Sequence, residues 1–372
     1  MHVLVVNVGS SSLRLTVLDS EDRPVFTRGH PSLSGSDLTN ALREALEQGG
    51  EVEASGHRIV HGGERFREPT RLDPSIDDEL AALDDLAPLH NPPAVAAVRA
   101  LRELRPELPA VACFDTAFHA TLPAAASTYA LPAEWSDRWT LRRYGFHGLS
   151  HAWIARRAPE LLERPAAELR IVSCHLGAGA SLTAIDRGSS VETTMGFTPL
   201  EGLVMATRSG SIDPGLLLWV QDQGELTPER AQRALESEAG LLGLSRRSGD
   251  MREVIAGAEE GDERCRLAID VYTHRLRAFI AAMAAAMGGL DALAFTGGVG
   301  EGSPRIRAMA AEGLGFLEIE VDPELNRRAE GDTFISLPGA GVVALVVEAR
   351  EDLQIAAEVR ACLTQNPARP NP

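Results

Sequence analysis

Two stretches of the chain, VVNVGSSSLRLTVLD at 5–19 and VSCHLGAGASLTAID at 172–186, share one pattern and decide the fold class. Each consists of an apolar strand, a loop of glycine and small residues, and a second strand with apolar residues at alternate positions. Gly9 and Gly177 occupy the corresponding place in the two loops. One such hairpin is a common feature, but two near the starts of the two halves predict a duplicated domain. Small residues there let backbone N–H groups approach a phosphate.

Strand and helix patterns alternate between these two stretches, which is typical of the α/β class. Helix signals cover 36–48, and Gly49 can end that helix. Apolar strand patterns at HRIVH and AVACFD flank a helical stretch that prolines interrupt. We therefore predict an α/β fold for the first half of the chain.

A third glycine loop, FTGGVGEGSPR at 295–305, follows the apolar run LDALAF and precedes a helical pattern. A strand that ends in glycines and opens onto a helix N-terminus is a typical anion site. The spacing does not match the dinucleotide fingerprint GxGxxG, and the phosphate-binding pattern GxxxxGK[ST] is absent. The loop therefore predicts a phosphate contact outside both of these motif classes.

Length and composition limit the function classes. A chain of 372 residues fits two domains, and 44% hydrophobic with 24% charged residues is typical of a soluble globular protein. The net charge of −17 argues against binding to nucleic acid or to anionic membranes. The chain opens with strand-like HVLVVNVG, so we expect no secretion signal and a cytosolic location. The tail QNPARPNP at 365–372 is expected to fray.

The cysteine and histidine spacings predict neither a disulfide framework nor a zinc site. The cysteines lie far apart, at Cys113, Cys174, Cys265 and Cys362. His147 and His151 have the spacing of a helical zinc pair, but they lack an adjacent glutamate and a third ligand. Cys174 and His175 are neighbours on a strand and point to opposite faces, which excludes a thiol nucleophile paired with that histidine.

Nine motifs occur along the chain in this order: NVGSSSLR, HRIVHGG, DTAFHATLP, YGFHGLSH, CHLGAGAS, MGFTPLEGLVMATRSGSIDPG, SGDMRE, FTGGVGEGSPRIR and EAREDLQIA. In these motifs the chain resembles the acetate kinase family, within the acetate/sugar kinase, heat-shock chaperone and actin superfamily. The block at 195–215 is the most specific of them, whereas the glycine loops alone are not specific.

The resemblance implies two duplicated ribonuclease H-like domains of the actin-like ATPase type, with a cleft between them. The first is expected at 1–118 plus 353–372, with a returning C-terminal helix, and the second at 119–352. The implied reaction is reversible transfer of the γ-phosphoryl group of ATP to acetate, which gives acetyl phosphate and ADP. Mg²⁺ or Mn²⁺ is implied as the metal, and a homodimer as the assembly.

The acceptor side of this reaction needs positive charge more than a base, because a carboxylate is already ionised at neutral pH. The resemblance implies that Arg58 binds the carboxylate through its guanidinium fork. It implies that His147 and Arg208 stabilise the transferring phosphoryl group. Asp115 is the implied essential aspartate, which we expect to orient an arginine or a metal-bound water. The structural alternatives are a surface salt bridge for Arg58, a buried histidine for His147 and a helix cap for Asp115.

The remaining site residues also come from the resemblance. Asn7 and Glu351 are the implied metal ligands, since Mg²⁺ needs few protein oxygens. The residues expected at the nucleotide are Ser10, Ser12, Arg14, His175, Leu176, Gly177, Ala178, Gly179, Asp250, Met251, Arg252, Gly298, Val299, Gly300, Glu301 and Gly302. The residues expected around the methyl group of acetate are Val60, Leu89, Phe146 and Pro199. Such a pocket discriminates one methylene by about 1–3 kcal/mol, so propionate is expected to be a poorer substrate.

The chain departs from the family pattern at several of these positions. Arg14 replaces a lysine, and Ala178 and Gly302 replace asparagines where the nucleotide is expected. Glu351 stands in Arg-Glu-Asp rather than Asn-Glu-Glu, and Ser211 replaces an aspartate for which the sequence offers no account. Two alternatives therefore stay open: a kinase that prefers propionate or butyrate, and one that uses pyrophosphate. A nucleotide-binding switch without kinase activity would not need Arg58, His147 and Arg208.

Overall fold

The computed structural model describes residues 1–9, 12–87, 90–224 and 226–365. The strands are β1 (Val3–Val8), β2 (Ser12–Leu18), β3 (Pro24–Pro31), β4 (Ala54–Ile59), β5 (Thr70–Arg71), β6 (Ala110–Phe114), β7 (Arg170–Leu176), β8 (Ala180–Asp186), β9 (Ser189–Thr193), β10 (Ala292–Thr296), β11 (Thr333–Phe334) and β12 (Val343–Val346). The α-helices are α1 (Gly35–Gln48), α2 (Pro74–Ala81), α3 (Asn91–Leu104), α4 (Ala124–Ser127), α5 (Ala133–Arg138), α6 (Gly148–Leu162), α7 (Pro214–Asp222), α8 (Pro228–Ser237), α9 (Gly240–Ser245), α10 (Met251–Glu259), α11 (Glu263–Ala286), α12 (Gly297–Gly302), α13 (Pro304–Ala311), α14 (Pro323–Arg327) and α15 (Glu351–Gln365).

The chain forms two compact units. The first contains Met1–Ala120, Phe146–Trp153 and the segment from Arg350 onward, and the second contains Thr121–Gly145 and Ile154–Ala349. The segment Phe146–Trp153 therefore packs with the first unit, whereas the sequence analysis assigned it to the second domain.

Each unit contains a six-stranded mixed sheet with the same topology. The first sheet has the order β3-β2-β1-β4-β6-β5, and the second, read in the same direction, has the order β9-β8-β7-β10-β12-β11. In both sheets the first two hairpin pairings are antiparallel, and the two central pairings that follow are parallel. The duplication predicted from the loops after β1 and β7 is thus a duplication of the whole sheet.

The glycine loops that led to this prediction occupy equivalent places. The backbone N–H of Gly9 donates to the carbonyl oxygen of Ser12 at 2.7 Å, at the end of β1. The N–H of Gly177 donates to the carbonyl oxygen of Gly179 at 3.0 Å, at the end of β7. Ser10 and Leu89, which the sequence analysis assigned to the phosphates and to the methyl pocket, lie outside the described residues.

The first sheet is covered on both faces. Leu4, Val6, Ile59 and Phe114 belong to the core on the side of α1 and α3, as does Leu42 of α1. Side chains on the other face of the sheet, such as Val5 and Cys113, pack against Ile355 and Val359 of α15. Because side chains alternate along a strand, Asn7, Arg58 and Asp115 belong to the α15 side of this sheet.

No described helix combines the length and the apolar character that a membrane crossing requires.

Candidate active site

Arg58 is the centre of a polar group in the first unit. Its Nη2 lies 2.6 Å from Oδ2 of Asp115, and its Nε lies 3.1 Å from both carboxylate oxygens. Its Nη1 donates to Oδ1 of Asn7 at 3.1 Å and lies 3.7 Å from Oε2 of Glu351. The amide nitrogen of Asn7 donates to that same glutamate oxygen at 2.9 Å. The structure thus brings together four residues that the sequence analysis assigned to acceptor and metal binding.

Burial controls the electrostatics of this group. Asp115 is 1% exposed, and burial raises the pKa of its carboxyl group while Arg58 opposes that shift. Burial alone would lower the pKa of Arg58, but Asp115 and Glu351 outweigh it and raise the pKa above its ordinary value. The guanidinium therefore stays charged, and Asp115 fixes its orientation.

The side chains of Asn7 and Glu351 fit a magnesium ion in their donor chemistry. They supply an amide oxygen and a carboxylate, which are both hard oxygen ligands, and the two side chains are in contact through the amide nitrogen of Asn7. Among the described residues, no group of three His, Cys, Asp or Glu side chains could hold a metal on its own. Magnesium usually keeps waters and substrate phosphates as its other ligands, so a pair of protein donors suffices.

Arg14 lies next to this group. Its Cα pairs with that of Asn7 in the β1–β2 ladder, and cross-strand partners project to the same face. The Arg14 side chain is exposed, unlike those of its neighbours Leu13 and Leu15. The arginine that replaces the family's lysine is therefore an exposed cation on the face that carries Arg58.

His147 has an unusual backbone conformation. Its φ is 57°, in the left-handed region that few residues other than glycine adopt, although histidine is among those enriched there. Its carbonyl oxygen accepts from the N–H of His151 at 3.0 Å, so α6 begins directly after it. Residues held in this region store about 1–3 kcal/mol and are enriched at functional sites. The conformation supports a functional role for the half-buried His147 side chain.

The turn before His147 is held by groups that the sequence analysis did not single out. The ring of the buried His119 donates from Nε2 to the carbonyl oxygen of Phe146 at 3.0 Å. Burial lowers the pKa of His119 to about 4, so it is neutral at physiological pH. The N–H of Gly148 donates to the carbonyl oxygen of Asp115 at 2.8 Å. The DTAFH and YGFHG motifs are thus linked by backbone contacts.

Replacing Gly148 by alanine is expected to destabilise the protein by about 2 kcal/mol, as overpacking in a tight contact does. A Cβ at this position would overlap the carbonyl group of Asp115, which is backbone and cannot rotate away. Gly302→Ala is the matched control, because a Cβ there would meet nothing within 4 Å. Urea unfolding measures both variants. Equal midpoints for the two variants would contradict this packing argument.

Arg208 lies in a closed loop of the second unit. The N–H of Ser211 donates to the carbonyl oxygen of Gly202 at 2.9 Å, and the N–H of Gly202 donates to the Ser211 hydroxyl at 3.0 Å. Gly210 has φ 69°, and a Cβ there would overlap the carbonyl oxygen of Leu203. Ser211, for which the sequence offered no account, therefore closes the loop that presents Arg208.

The Arg208 guanidinium has few protein contacts. Its Nη1 donates to the carbonyl oxygen of Pro199 at 3.3 Å and lies 4.0 Å from the sulfur of Met205. No carboxylate in the described ranges forms an ion pair with it. Burial lowers the pKa of Arg208, with Glu236 opposing the shift, but an arginine stays charged. A half-buried cation in this situation is available for an anionic ligand.

The residues expected around the methyl group belong to both units. Val60 and Phe146, in the first unit, are 7% and 1% exposed. The Phe146 ring contacts His61 edge to face, with 5.4 Å between the ring centroids. Pro199, in the second unit, is half-buried and accepts from Arg208.

A cavity of about 870 Å³ in the second unit joins three of the predicted nucleotide motifs. The predicted residues on its wall are Gly177, Ala178, Asp250, Met251, Arg252, Gly298, Val299 and Gly302. Asp250 caps α10 by accepting from the N–H of Arg252, and the side chain of Arg252 keeps the pKa of Asp250 at about 2. Cavities of this size are typical of small-molecule sites.

Among the predicted nucleotide residues of the second unit, five are not on this wall: His175, Leu176, Gly179, Gly300 and Glu301. Leu176 is fully buried, and the Glu301 carboxylate accepts from the N–H groups of Gly297 and Ala349. Glu301 therefore holds the glycine loop in place instead of facing the cavity. The fully buried Arg307 also holds this glycine loop, because its Nη1 donates to the carbonyl oxygens of Gly300 and Glu301.

Several residues on the cavity wall were missed by the sequence analysis: Ala206, Thr207, Leu241, Gly249, Ile255, Glu259, Tyr272, Ser303, Pro304 and Arg305. Ala206, Thr207, Gly249 and Ser303 to Arg305 lie inside motifs that were recognised, so those motifs could have found them. The N–H of Ala206 donates to the carbonyl oxygen of Ala178 at 3.0 Å, which joins the loop of Arg208 to the cavity. Tyr272 lies on the buried face of α11, where no sequence signal separates it from the core residues.

Comparisons with known proteins identify the family to which this chain belongs. The profile of the acetokinase family matches residues 32–357. The chain belongs to the acetokinase family. An acetate kinase of Synechococcus sp. (strain JA-2-3B'a(2-13)) is 49% identical, and the match covers 96% of this chain and 98% of the relative.

Solved structures of relatives have the same fold. The crystal structure of Porphyromonas gingivalis acetate kinase has a TM-score of 0.92 at 34% identity, covering 97% of this chain and 99% of that chain. A propionate kinase from Francisella tularensis subsp. tularensis SCHU S4 has a TM-score of 0.88 at 34% identity, covering 96% and 98%. The family resemblance and the predicted fold of duplicated α/β domains are thus confirmed. As a member of the acetokinase family, the protein is a phosphotransferase with a carboxyl group as acceptor.

Proposed function

We propose that this protein transfers the γ-phosphoryl group of ATP to acetate and forms acetyl phosphate and ADP, in a reversible reaction. The observation that carries the proposal is the Arg58 group, in which the buried Asp115 aims a charged guanidinium fork. A fork held in this way suits a carboxylate, which it can bind through two parallel hydrogen bonds. Family membership supports the same reaction type.

The proposed roles follow from the fact that this reaction needs no general base. The carboxylate nucleophile is already ionised, so no residue has to remove a proton from it. The obstacle is the approach of one anion to another, which positive charge and positioning overcome. We assign Arg58 to the acetate carboxylate, Asp115 to the orientation of Arg58, and Arg208 with His147 to the charge on the transferring phosphoryl group. Val60, Leu89, Phe146 and Pro199 are assigned to the methyl group.

The divalent metal is part of the proposal. Asn7 and Glu351 would hold Mg²⁺, or Mn²⁺ in its place, because their side chains are in contact and each carries an oxygen that can bind the ion. When bound, the ion neutralises charge on the nucleotide phosphates. Arg14 faces the same side of the sheet and would add positive charge there.

The size of the nucleotide cavity favours ATP over pyrophosphate as donor. A volume of about 870 Å³ lined by Leu241, Met251, Ile255 and Val299 suits a base and a ribose, whereas pyrophosphate has no apolar part. Ala178 and Gly302 lie on this wall. Alanine and glycine leave space at these two positions, where the family has asparagines.

Propionate is the second candidate acceptor. The observation that favours it is the close structural match to a propionate kinase, with a TM-score of 0.88. The apolar residues assigned to the methyl group distinguish the two acids by only about 1–3 kcal/mol per methylene. Acetate and propionate are therefore both expected to react, with acetate preferred.

The test is acyl phosphate formation, trapped with hydroxylamine, using purified protein and Mg²⁺. ATP and pyrophosphate are offered separately with acetate, propionate and butyrate. We expect product with ATP and the highest kcat/KM with acetate. Product with pyrophosphate alone would replace the proposed donor, and a higher kcat/KM for propionate would replace the proposed acceptor. No product with any pair would refute the proposal.

We also propose that the protein forms a homodimer through α7. None of the residues of this helix is buried, although Leu216, Leu218 and Trp219 are exposed to 51%, 62% and 60%. Ile212 precedes the helix and is 40% exposed. Contiguous apolar surface of this kind usually marks an interface. A second copy is the simplest occupant, since two such helices bury each other symmetrically.

The double variant Leu218→Ser/Trp219→Ser is therefore expected to be a monomer at micromolar concentration, where the wild type is a dimer. Removing two large apolar side chains from the centre of an interface eliminates most of its favourable burial. Size-exclusion chromatography with light scattering measures both masses. Leu325→Ser is the control, because Leu325 is an exposed apolar residue outside α7. A monomeric wild type, or a dimeric double variant, would refute this interface.

A cytosolic location belongs to the same proposal. The four cysteines are free, three of them buried, which agrees with a reducing compartment that also supplies ATP.

A further inference from the structure

The half-buried carboxylate of Glu201 is held by two side chains from an earlier part of the second unit. Its Oε1 accepts from Nη2 of Arg143 at 2.8 Å, and its Oε2 accepts from the Tyr129 hydroxyl at 2.6 Å. Both donors belong to the segment Thr121–Gly145. Burial and the neighbouring Glu201 raise the pKa of Tyr129 above its ordinary value, so the hydroxyl stays protonated and donates. Hydrogen bonds to a charged carboxylate are among the stronger ones in proteins.

The same two donors also bind the backbone that precedes Glu201. The Tyr129 hydroxyl accepts from the N–H of Phe197 at 2.9 Å. Nη1 of Arg143 donates to the two carbonyl oxygens at 194–195, at distances of 3.2 and 3.1 Å. The backbone between residue 194 and Glu201 is therefore fixed at its start, in its middle and at its end.

Gly196 lets the two segments approach closely. A Cβ at Gly196 would overlap both the Glu201 carboxylate and the Tyr129 hydroxyl. The carbonyl oxygen of Gly196 accepts from the N–H groups of Tyr144 and Gly145, at 3.1 and 3.3 Å. The two segments are thus joined through the main chain as well as through side chains.

The backbone held in this way supports Arg208 at two points. The carbonyl oxygen of Pro199 accepts from Nη1 of Arg208 at 3.3 Å. Gly202, directly after Glu201, exchanges two hydrogen bonds with Ser211 and so closes the loop that carries Arg208. Because the described contacts of the Arg208 guanidinium are few, its position depends on where Pro199 and Gly202 lie.

We infer that Glu201, held by Tyr129 and Arg143, is a positioning residue that keeps Arg208 in place for phosphoryl transfer. The inference rests on the proposed function, because it assigns Glu201 to the same step as Arg208. A displacement of about 1 Å in a catalytic group can cost about a hundredfold in rate. Glu201 therefore acts on kcat through Arg208, and the binding of acetate does not depend on it.

The test is a double-mutant cycle between Glu201→Ala and Arg208→Ala. Glu201→Ala alone is expected to lower kcat about ten- to a hundredfold and to leave the KM for acetate within about twofold of the wild type. In the Arg208→Ala background the same change is expected to lower kcat by no more than about twofold, because the residue through which Glu201 acts is absent. An equal loss of kcat in both backgrounds would overturn the inference.

Two single variants make the result specific to this carboxylate. Glu201→Gln keeps one acceptor oxygen, so it is expected to recover part of the kcat that Glu201→Ala loses. Glu160→Gln is the matched control and is expected to leave kcat unchanged. Glu160 also accepts from an arginine at 2.8 Å, from Nη1 of Arg157, but it takes no part in this network.

Hydrogen exchange, followed by mass spectrometry of peptides that cover 196–203, tests the same contacts without an activity assay. Glu201→Ala and Tyr129→Phe are both expected to speed exchange in these peptides at least about fivefold, because each removes bonds that hold this backbone. Unchanged exchange in Glu201→Ala, like an unchanged kcat, would overturn the inference. Absence of acyl phosphate from the wild type would instead refute the proposed function, and exchange would still test whether Glu201 holds this backbone.

Discussion

Arg208→Ala is expected to lower kcat for acyl phosphate formation by about a thousandfold or more, the range seen when an arginine that stabilises a transferring phosphoryl group is lost. The reason is that Arg208 is a half-buried cation with one carbonyl and one sulfur contact, and with no ion pair among the described residues. When the Arg208 side chain is removed, the Pro199 carbonyl oxygen loses one hydrogen-bond donor. Stability is therefore expected to change little. The hydroxylamine assay and urea unfolding measure the two quantities.

Two further variants make the Arg208 result specific. Arg208→Lys keeps the charge but loses the planar fork, so it is expected to recover only part of kcat. Arg233→Ala removes an exposed arginine from α8 and is expected to leave kcat unchanged. A kcat for Arg208→Ala within tenfold of the wild type would contradict the assigned role.

Arg58→Ala is expected to have two large effects. Without the guanidinium, the acetate carboxylate loses its proposed ligand, and the KM for acetate is expected to rise about 30- to 150-fold, which corresponds to a lost charged hydrogen bond of about 2–3 kcal/mol. Asp115 is left as a buried carboxylate without its partner, and breaking a buried pair in this way costs about 3–5 kcal/mol of stability. Initial rates at varied acetate concentration and urea unfolding measure the two effects.

The double variant Arg58→Ala/Asp115→Asn separates these effects. Asparagine removes the buried charge, so stability is expected to recover in part while the KM for acetate stays high. A purely structural role for Arg58 predicts the opposite, since restored stability would then restore the KM for acetate. Recovery of both quantities in the double variant would therefore contradict acetate binding by Arg58.

Local patterns predicted the duplicated part of the fold well. The apolar runs of β1 and β7 and the alternating apolar residues of β2 and β8 are signals that each strand carries in its own residues. Strand β3 was missed because it lies at the edge of the sheet and buries only Phe26, so it has no alternating pattern. A strand can be predicted from its sequence only where enough of its residues are apolar to mark a buried face.

Some residues of the candidate site could be predicted from the sequence and others could not, because the latter depend on tertiary contacts. Arg58, Asp115, Asn7 and Glu351 could be selected because each lies in a recognisable motif, and the structure brings them together. The contacts of Gly148 with Asp115 could not be predicted, since the two motifs are far apart in the chain.

The nucleotide residues show the limit most clearly. Glu301 belongs to a glycine motif, but its carboxylate serves the backbone of Gly297 and Ala349. Tyr272 belongs to no motif, and only its place on the cavity wall distinguishes it from a core tyrosine. A motif places a loop near a ligand, whereas the direction of each side chain depends on packing.

The most direct test of the proposed function is the rate of ADP release from ATP, measured with and without acetate by the wild-type protein and Mg²⁺. We expect release to require acetate and to equal the amount of acetyl phosphate formed, because the carboxylate is the nucleophile. ADP release at the same rate without acetate, with no acetyl phosphate formed, would contradict a carboxylate kinase and indicate a nucleotide-hydrolysing switch.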